Sequence, residues 1–439
     1  MELIKRYKSH HDSTILLKDK FISKSVKSEY LQNLLNSTPK KQAVIYIHVP
    51  FCSKICSYCN LNTELINNSL SDYHNLIINQ IKKIANYKYI KENHFKSVYF
   101  GGGTPTTLSV KQLEEVLDAI KSYLPLGRNT EISFESSLSE LTEDKLTVMK
   151  DKGVNRFSLG AQTFVDRGRK ILGRRGTGEM VIRKIKDILD MGFDNINIDL
   201  IYDYPGQNMK ELISDLQVIK KLNLAGLSFY SLILHPNSRI YKKIEKDVYK
   251  LPNFFLEKKF FYKIYNELSE AGYKIFELTK MVKDKRDKYK YITIKHSNGD
   301  VLALGQGAGG RLGNYIYYNG NINMLKDSNP AVSLMGKIVK EEYNIIYKIL
   351  GEIQCGELKL NIFDKYLSQE TEGFKIIVDF FRELKENNFA AKKGSKLKLT
   401  KEGVFWGNNI SRELTKILIK YFQTNEREDE NDENSSNLF

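Results

Sequence analysis

Short apolar runs alternate with longer amphipathic stretches over residues 43–233, and this alternation strongly limits the possible folds. The runs are rich in β-branched and aromatic residues, as buried strands are, whereas the stretches near 70–88, 111–124, 142–152, 179–191 and 208–222 have helical periodicity. Buried strands separated by helices are typical of a parallel sheet. Six such units predict an α/β fold built on a partial or full β/α barrel, with ligands at the carboxyl ends of the strands. The six runs are AVIYIHV, SVYFGGG, EISFE, NRFSLG, NINIDLIY and GLSFYSLI.

The rest of the chain is predicted to flank this barrel, which we place at 43–250. Residues 1–42 are polar and irregular and are interpreted as an N-terminal strap, whereas 251–325 extend the barrel with a helix at 253–271 and strands near 273–279 and 300–305. Residues 326–424 are predicted to form a mainly helical, winged-helix-like cap, because KLKLTKEGVFWGNN resembles a wing. Such a unit can bind DNA, but as an appendage to a barrel it is interpreted as a cap. The acidic tail, 425–439, has the composition of a disordered segment.

The net charge of +15 favours anionic partners, such as nucleic acid, an anionic small molecule or an acidic redox protein. No arginine-rich arm stands out, so nucleic acid is not expected. The N-terminus lacks the apolar segment of a signal peptide, and no run approaches the ~18 apolar residues of a spanning helix. Four cysteines, three of them clustered, do not make a disulfide framework. These features predict a cytoplasmic protein without a membrane partner.

Cys52, Cys56 and Cys59 are spaced C-x3-C-x2-C directly after the first predicted strand. A structural zinc site normally uses four protein ligands, and Cys355 is far away in the sequence and is interpreted as a buried apolar cysteine. Iron–sulfur clusters are held by cysteine thiolates. Three thiolates on a four-iron cluster leave one iron open, so the spacing predicts a cluster that binds a further ligand.

Four ordered stretches resemble the coproporphyrinogen dehydrogenase-like branch of the radical S-adenosylmethionine (SAM) superfamily: YIHVPFCSKICSYCN, VYFGGGTPTTL, RFSLGAQTFVDRGRKILGR and NIDLIYDYPGQ. The resemblance covers about residues 43–320. It implies a [4Fe–4S] cluster whose open iron is chelated by SAM. One electron from the reduced cluster then cleaves SAM to a 5′-deoxyadenosyl radical, so the resemblance also implies a flavodoxin-like or other low-potential electron donor.

The same resemblance implies a set of SAM contacts, most of them at the ends of strands. Gly102, Gly103 and Thr104 would receive the amino-acid end of SAM, since glycines let the backbone approach a ligand closely. The other positions matched to SAM are Tyr46 beside the methionine moiety, Tyr58 at the adenine, and Glu135, Gln162, Arg174 and Asp199.

Shorter stretches separate the members of the branch. Coproporphyrinogen dehydrogenases usually carry a further cysteine just after the triad, where this chain has Asn60 and Leu61, and the H-N-x-x-Y-W segment of the heme chaperones is missing after His296. FYSLILHPNSRIY, FELTK and LALGQGAGGRLG resemble the heme-utilisation members, the anaerobilin synthases. This implies opening of heme without oxygen, with SAM as radical source and methyl donor. The chaperone and dehydrogenase activities remain the alternatives.

GQGAGG also fits the dinucleotide fingerprint G-x-G-x-x-G, but β-forming residues follow where that motif needs a helix, so NAD binding is rejected. Its small residues can instead approach a flat macrocycle or a second SAM. Heme as substrate needs an apolar slot, cations for its propionates and an axial ligand. The candidates are His235, Arg239, His296, Gly307 and Arg311.

Overall fold

The computed structural model describes residues 5–18, 20–26, 28–250, 253–321, 325 and 335–436. Residues 251–252, where the predicted barrel extension begins, residues 326–334, where the predicted cap begins, and the last three residues of the acidic tail lie outside these ranges. In chain order the strands are β1 (Ile22–Val26), β2 (Ala43–Val49), β3 (Phe51–Cys52), β4 (Glu64–Leu65), β5 (Phe95–Gly102), β6 (Leu126–Ser136), β7 (Arg156–Gln162), β8 (Ile196–Tyr202), β9 (Gly226–Ser231), β10 (Tyr273–Glu277), β11 (Lys280–Lys283), β12 (Asp300–Leu304), β13 (Gly309–Leu312), β14 (Tyr315–Tyr318), β15 (Met335–Val339), β16 (Glu357–Lys359), β17 (Ala390–Lys393) and β18 (Lys396–Leu399).

Helices cover the sheet and form most of the C-terminal region. They are α1 (His11–Thr14), α2 (Ser28–Leu35), α3 (Leu70–Ile84), α4 (Lys88–Lys91), α5 (Val110–Tyr123), α6 (Glu143–Asp151), α7 (Asp166–Ile171), α8 (Gly178–Asp190), α9 (Met209–Leu222), α10 (Arg239–Glu245), α11 (Phe254–Glu270), α12 (Lys290–His296), α13 (Glu341–Gln354), α14 (Asn361–Tyr366), α15 (Glu372–Glu386), α16 (Lys401–Phe405) and α17 (Gly407–Ser436).

The six predicted strands form the parallel centre of the large sheet. β2, β5, β6, β7, β8 and β9 are neighbours in that order, and each pair is parallel. The helices between them begin at side-chain caps such as Ser109, Asn208 and Thr142. The predicted α/β barrel is therefore confirmed, and its carboxyl ends lie at one edge, as parallel strands require.

The sheet continues beyond the six parallel strands on both sides, and β10 and β12 lie where strands were predicted near 273–279 and 300–305. β12 pairs in parallel with β2, and β13, β14, β15 and β1 follow it as antiparallel strands. On the other side β11 and β10 add to β9, also antiparallel. Strands, not a helix, follow GQGAGG, which agrees with the rejection of NAD binding.

The two faces of the parallel strands differ in chemistry. One face is apolar and packs under the helices, with Ile45, Phe100 and Phe134 fully buried. The other is largely polar, because the register aligns Tyr46 with Tyr99 and Glu135 with Ser158. Alternation along each strand places these groups on one face, and a polar face inside a barrel is suited to bind a polar ligand.

The amino-terminal end of this polar face is closed by charged groups. Asp287 Oδ1 accepts from Arg156 Nε at 2.9 Å, and Asp287 Oδ2 is 3.1 Å from Lys280 Nζ. All three side chains are at most 2% exposed. The guanidinium of Arg156 also lies 3.9 Å from the ring centroid of Tyr289, just before α12. The polar face is therefore open to a ligand at its carboxyl end.

The C-terminal region is mainly helical and carries a small sheet of β16, β18 and β17, consistent with a winged-helix-like unit. Helix α17 runs to Ser436, into the segment predicted to be disordered, since Glu and Arg are good helix formers. In the part of the chain that the structure describes, no helix is both long and apolar enough to cross a membrane.

Candidate active site

A cavity of about 420 Å³ lies at the carboxyl ends of the parallel strands, beneath the loop that carries the cysteines. Its volume is within the range of small-molecule sites. It brings together most of the residues that the sequence singled out. Those lining it are Cys52, Cys56, Tyr58, Cys59, Gly102, Gly103, Thr104, Glu135, Gln162, Arg174 and Asp199.

The cysteine loop is held by backbone hydrogen bonds from three parts of the chain. Ile66 N donates to Cys52 O at 3.1 Å, Ser57 N to Leu172 O at 3.1 Å, and Ile240 N to Ser57 O at 2.8 Å. Gly173 is required beside the loop, since a Cβ there would lie 2.9 Å from Ser57 N and its φ is +71°. The loop is thus clamped on both flanks while its thiols face the cavity.

The donor set fits an iron–sulfur cluster. All three thiols are free, and Arg174 Nη1 donates to Cys56 Sγ at 3.1 Å. Within the described residues the buried Nε of Arg174 has no hydrogen-bond partner. A guanidinium beside thiolate ligands offsets their negative charge. In the described ranges no three His, Cys, Asp or Glu side chains are arranged around a single metal ion.

The glycine loop packs directly on the cysteine loop. A Cβ on Gly103 would lie 2.6 Å from Phe51 O, and Gly102 has φ +113°. The three N–H groups are already engaged, Gly102 N by Glu135, Gly103 N by Val49 O and Thr104 N by Phe51 O. The Thr104 carbonyl accepts from Thr107 N at 2.9 Å, so the acceptors offered to a ligand's ammonium are the carbonyls of Gly102 and Gly103 and the Thr104 hydroxyl. The hydroxyl also lies 3.5 Å from Cys52 Sγ.

Two buried carboxyls lie on the polar face below the loop. Glu135 accepts from Tyr99 Oη at 2.6 Å and from Gly102 N at 3.2 Å. Burial raises the pKa of Glu135 to about 7. Burial also raises the pKa of Asp199, which accepts from Ser158 Oγ at 3.5 Å. When ionised, these groups can accept from an ammonium or from hydroxyls.

The turn after β7 positions Gln162, whose φ is +67°. Arg169 anchors this turn by donating to Ala161 O and Thr163 O, each at 2.9 Å. Sequence reasoning did not identify Arg169, although it lies in the quoted motif RGRKILGR. Its buried guanidinium supplies hydrogen bonds to backbone carbonyls of the turn that would otherwise be buried without a partner.

Tyr46 does not line the cavity. Its hydroxyl is 2.8 Å from His48 Nδ1, and its ring stacks on Tyr99 and Tyr291. Burial lowers the pKa of His48 to about 4, so this imidazole is neutral. Tyr46 shares the polar face with Glu135, and the register places it closer to the amino-terminal end of the sheet. Its contact with SAM stays a prediction.

The residues matched to heme also lie outside the cavity lining. Arg311 is buried, donates to Asn344 and lies over the Tyr347 ring at 5.0 Å. It is therefore engaged in packing against α13. His296 Nε2 is 2.7 Å from Glu277 Oε1, at the end of α12.

The other three heme candidates make hydrogen bonds that involve backbone atoms. Arg239 donates to Ile55 O, and His235 O accepts from Ser238 Oγ at 2.7 Å. Gly307 has φ +72° and donates to Asn319 O at 3.2 Å. None of these contacts points to a macrocycle, so the heme assignment of these residues is not supported by where they lie.

The mouth of the cavity carries apolar side chains that sequence reasoning missed. Leu61 is 61% exposed, Tyr230 40% and Ile233 37%, and all three line the cavity. The cations Lys54 and Arg175 are exposed beside them and line it too. Their positions in the sequence could have identified them, since Leu61 lies two residues after Cys59, and Tyr230 and Ile233 lie at the end of β9 and just after it.

Comparison with known proteins agrees with this geometry. Residues 46–219 match the Radical SAM superfamily. An anaerobilin synthase of Escherichia coli O157:H7 is 25% identical over 403 residues, 90% of this chain and 89% of that protein. A heme chaperone HemW of Lactococcus lactis is 32% identical over 274 residues, 62% of this chain and 71% of the relative. The solved structure of coproporphyrinogen III oxidase (HemN) from Escherichia coli has a TM-score of 0.77 at 19% identity, over 93% of this chain and 98% of that one, and shares its fold.

Proposed function

The chain belongs to the radical SAM superfamily and to its coproporphyrinogen dehydrogenase-like branch, and from this premise we propose that it degrades heme without oxygen. In this proposal the porphyrin ring is opened to a linear methylated tetrapyrrole, and iron is released. In this proposal SAM serves as radical source and methyl donor. The proposal is supported by the similarity to an anaerobilin synthase, which spans 90% of this chain.

The observation that carries the proposal is the mouth of the cavity. Leu61 and Ile233 expose apolar surface and line the same cavity as the thiols and the two carboxyls, and the Tyr230 ring lines it deeper, with Asp199 and Glu135 as charged neighbours. Soluble proteins rarely leave apolar side chains grouped at a polar cavity unless a ligand covers them. A flat macrocycle can lie on these three side chains, with its propionates toward Lys54 and Arg175.

The chain's own residues then divide the work. Cys52, Cys56 and Cys59 would hold the cluster, which with SAM supplies a carbon-centred radical from one electron. Arg174 offsets thiolate charge, and the carbonyl groups at Gly102 and Gly103 accept from the ammonium of SAM. Glu135 and Asp199 can accept hydrogen bonds from the hydroxyl groups of a ligand. A roofed cavity also excludes water, which protects a reactive species from side reactions.

Two related activities are the alternatives. The similarity to a heme chaperone favours heme binding without loss of the macrocycle. The shared fold with a coproporphyrinogen oxidase is compatible with decarboxylation of coproporphyrinogen. Asn60 stands where the dehydrogenases carry a cysteine, which counts against the dehydrogenase activity.

One anaerobic assay separates the three. The reconstituted protein is given heme, methyl-labelled SAM and dithionite, and absorbance and mass spectrometry follow the pigment. We expect the Soret band to disappear, the label to enter a tetrapyrrole and 5′-deoxyadenosine to accumulate. Bound heme that stays intact while SAM is cleaved would instead support the chaperone. Loss of carbon dioxide from coproporphyrinogen would support the dehydrogenase.

A further inference from the structure

Exposed cations surround the outer side of the cysteine loop. They lie on the loop itself, on α7 and the turn after it, and on α10 with the residues that follow. The exposed members are Lys54, Arg167, Lys170, Arg175, Arg239, Lys242, Lys243, Lys246 and Lys250, which we call the basic face. The exposed acids on the same segments are Asp166, Glu245 and Asp247.

Both flanking segments contact the cysteine loop directly. Ile240 N, in the first turn of α10, donates to Ser57 O, one residue beyond Cys56. Arg175 Nη1 donates to Ser53 Oγ at 3.3 Å. Since an α-helix rises about 1.5 Å per residue, Lys242 and Lys243 begin within about 5 Å of Ile240 along the helix axis. The basic face therefore adjoins the cysteine loop.

Most of the basic face lies outside the cavity. Lys54 and Arg175 line the mouth, whereas Lys170, Lys242, Lys243 and Lys246 do not. A ligand bound in the cavity leaves these four lysines uncovered, and they are spread over two separate elements. A macromolecule with a broad acidic surface covers them better than a small anion does.

We infer that the basic face docks an acidic one-electron donor protein that carries a reduced flavin or iron–sulfur centre. The inference rests on the proposed function, which needs one electron at the cysteine loop. In that step the donor is oxidised by one electron and the cluster is reduced by one, and no covalent bond changes. Charge complementarity speeds such encounters, and electron-transfer interfaces are small and weak enough to release the partner.

The test compares two triple charge reversals in the full-length holoprotein. The first changes Lys242, Lys243 and Lys246 to Glu. The matched control changes Lys392, Lys393 and Lys398, which are exposed on the small C-terminal sheet, to Glu. Both alter the net charge equally. Binding of oxidised flavodoxin, and separately of a bacterial ferredoxin, is measured by fluorescence anisotropy or calorimetry across a range of salt concentrations.

We expect the first variant to bind flavodoxin or ferredoxin about tenfold or more weakly, with a smaller salt dependence, while the control binds as wild type does. SAM cleavage driven by the reduced donor should fall in parallel. Cleavage driven by dithionite and the iron content should stay unchanged, which excludes misfolding.

Equal donor binding by the first variant and wild type would overturn the inference, and so would wild type that binds neither donor. Weaker heme binding with unchanged donor binding would assign these lysines to propionates and overturn it too. Wild type that docks the donor through these lysines but leaves heme intact under dithionite would contradict the proposed function and leave the docking inference standing.

Discussion

At the scale of single residues, a hydrogen bond from the Tyr99 hydroxyl favours the ionised form of the buried Glu135. Burial raises the pKa of Glu135 to about 7, and the hydrogen bond from Tyr99 works against this rise. The carboxyl is therefore ionised above that pH and takes up a proton below it. A carboxylate binds the cationic SAM better than a neutral acid does, so SAM affinity should fall as the pH is lowered from about 8 to about 6.

Tyr99→Phe removes the hydroxyl and leaves the ring, so the pKa of Glu135 should rise further. We expect the midpoint of SAM binding against pH to move upward, and Glu135→Gln to flatten the profile except for the contribution of Asp199. Anaerobic equilibrium dialysis of SAM on the reconstituted protein measures both. An unchanged midpoint in Tyr99→Phe would show that this hydrogen bond does not set the charge.

Cys355 is a second residue whose role can be tested. It follows α13, does not line the cavity, and burial raises the pKa of its thiol to about 12. A thiol that stays protonated is a poor metal ligand. Cys355→Ala should keep the iron content and cluster absorbance of wild type, whereas Cys59→Ala should lose most of both. Iron loss in Cys355→Ala would refute the three-cysteine assignment.

Motifs predicted most of the cavity because their residues are local to strand ends. They could not give depth along a strand, which is why Tyr46, predicted to contact SAM, lies against Tyr99 and Tyr291 outside the cavity lining. Its role and those of the heme residues stay predictions. Arg311 looked like a propionate partner by charge, but its contacts with Asn344 and Tyr347 come from α13, which no local pattern reveals.

At the scale of elements, the turn that leads into α12 closes the amino-terminal end of the polar face through Asp287. Burial alone would raise the pKa of Asp287, but the charges of Arg156 and Lys280 outweigh it and hold this pKa well below its usual range. The ionised pair is thus present throughout the neutral pH range.

Removing one partner of a buried ion pair leaves the other charge uncompensated. Asp287→Ala should therefore lower the free energy of unfolding by about 3–5 kcal/mol. Urea denaturation of the full chain measures this. Asp284→Ala, a change at an exposed acid three residues earlier, is the control and should cost far less. Equal stability of Asp287→Ala and wild type would mean that water or a rearranged turn compensates Arg156.

The parallel strands were predictable because each is a short apolar run, rich in β-branched and aromatic residues, that can be recognised from a few neighbouring positions. The strand β1 was not predictable, since its partner is distant in sequence: Ile22 pairs with Val339. Such register depends on the folded neighbour more than on the strand's own pattern.

At the scale of the whole molecule, the N-terminal strap joins the C-terminal unit to the cavity. Lys8 Nζ donates to Ser231 Oγ at 2.7 Å and to Leu232 O at 3.2 Å, and both acceptors line the cavity. Arg6 Nε donates to Phe405 O at 2.8 Å, and Arg6 pairs with Glu257. Three parts of the chain that are far apart in sequence thus meet at residues 6–8.

Asn409 fixes this strap from the side of the C-terminal unit. Its Nδ2 donates to Lys5 O at 2.8 Å, and its Oδ1 accepts from Tyr7 N at 3.0 Å. Asn409→Ala removes both hydrogen bonds, worth about 1–3 kcal/mol together, so exchange of the Tyr7 amide should quicken about tenfold to a hundredfold. Hydrogen exchange with mass spectrometry measures this, and Asn408→Ala, which loses only a contact to Gln354, should leave Tyr7 protected. Protection that persists in Asn409→Ala would assign the anchoring of the strap to Arg6 and Lys8 instead.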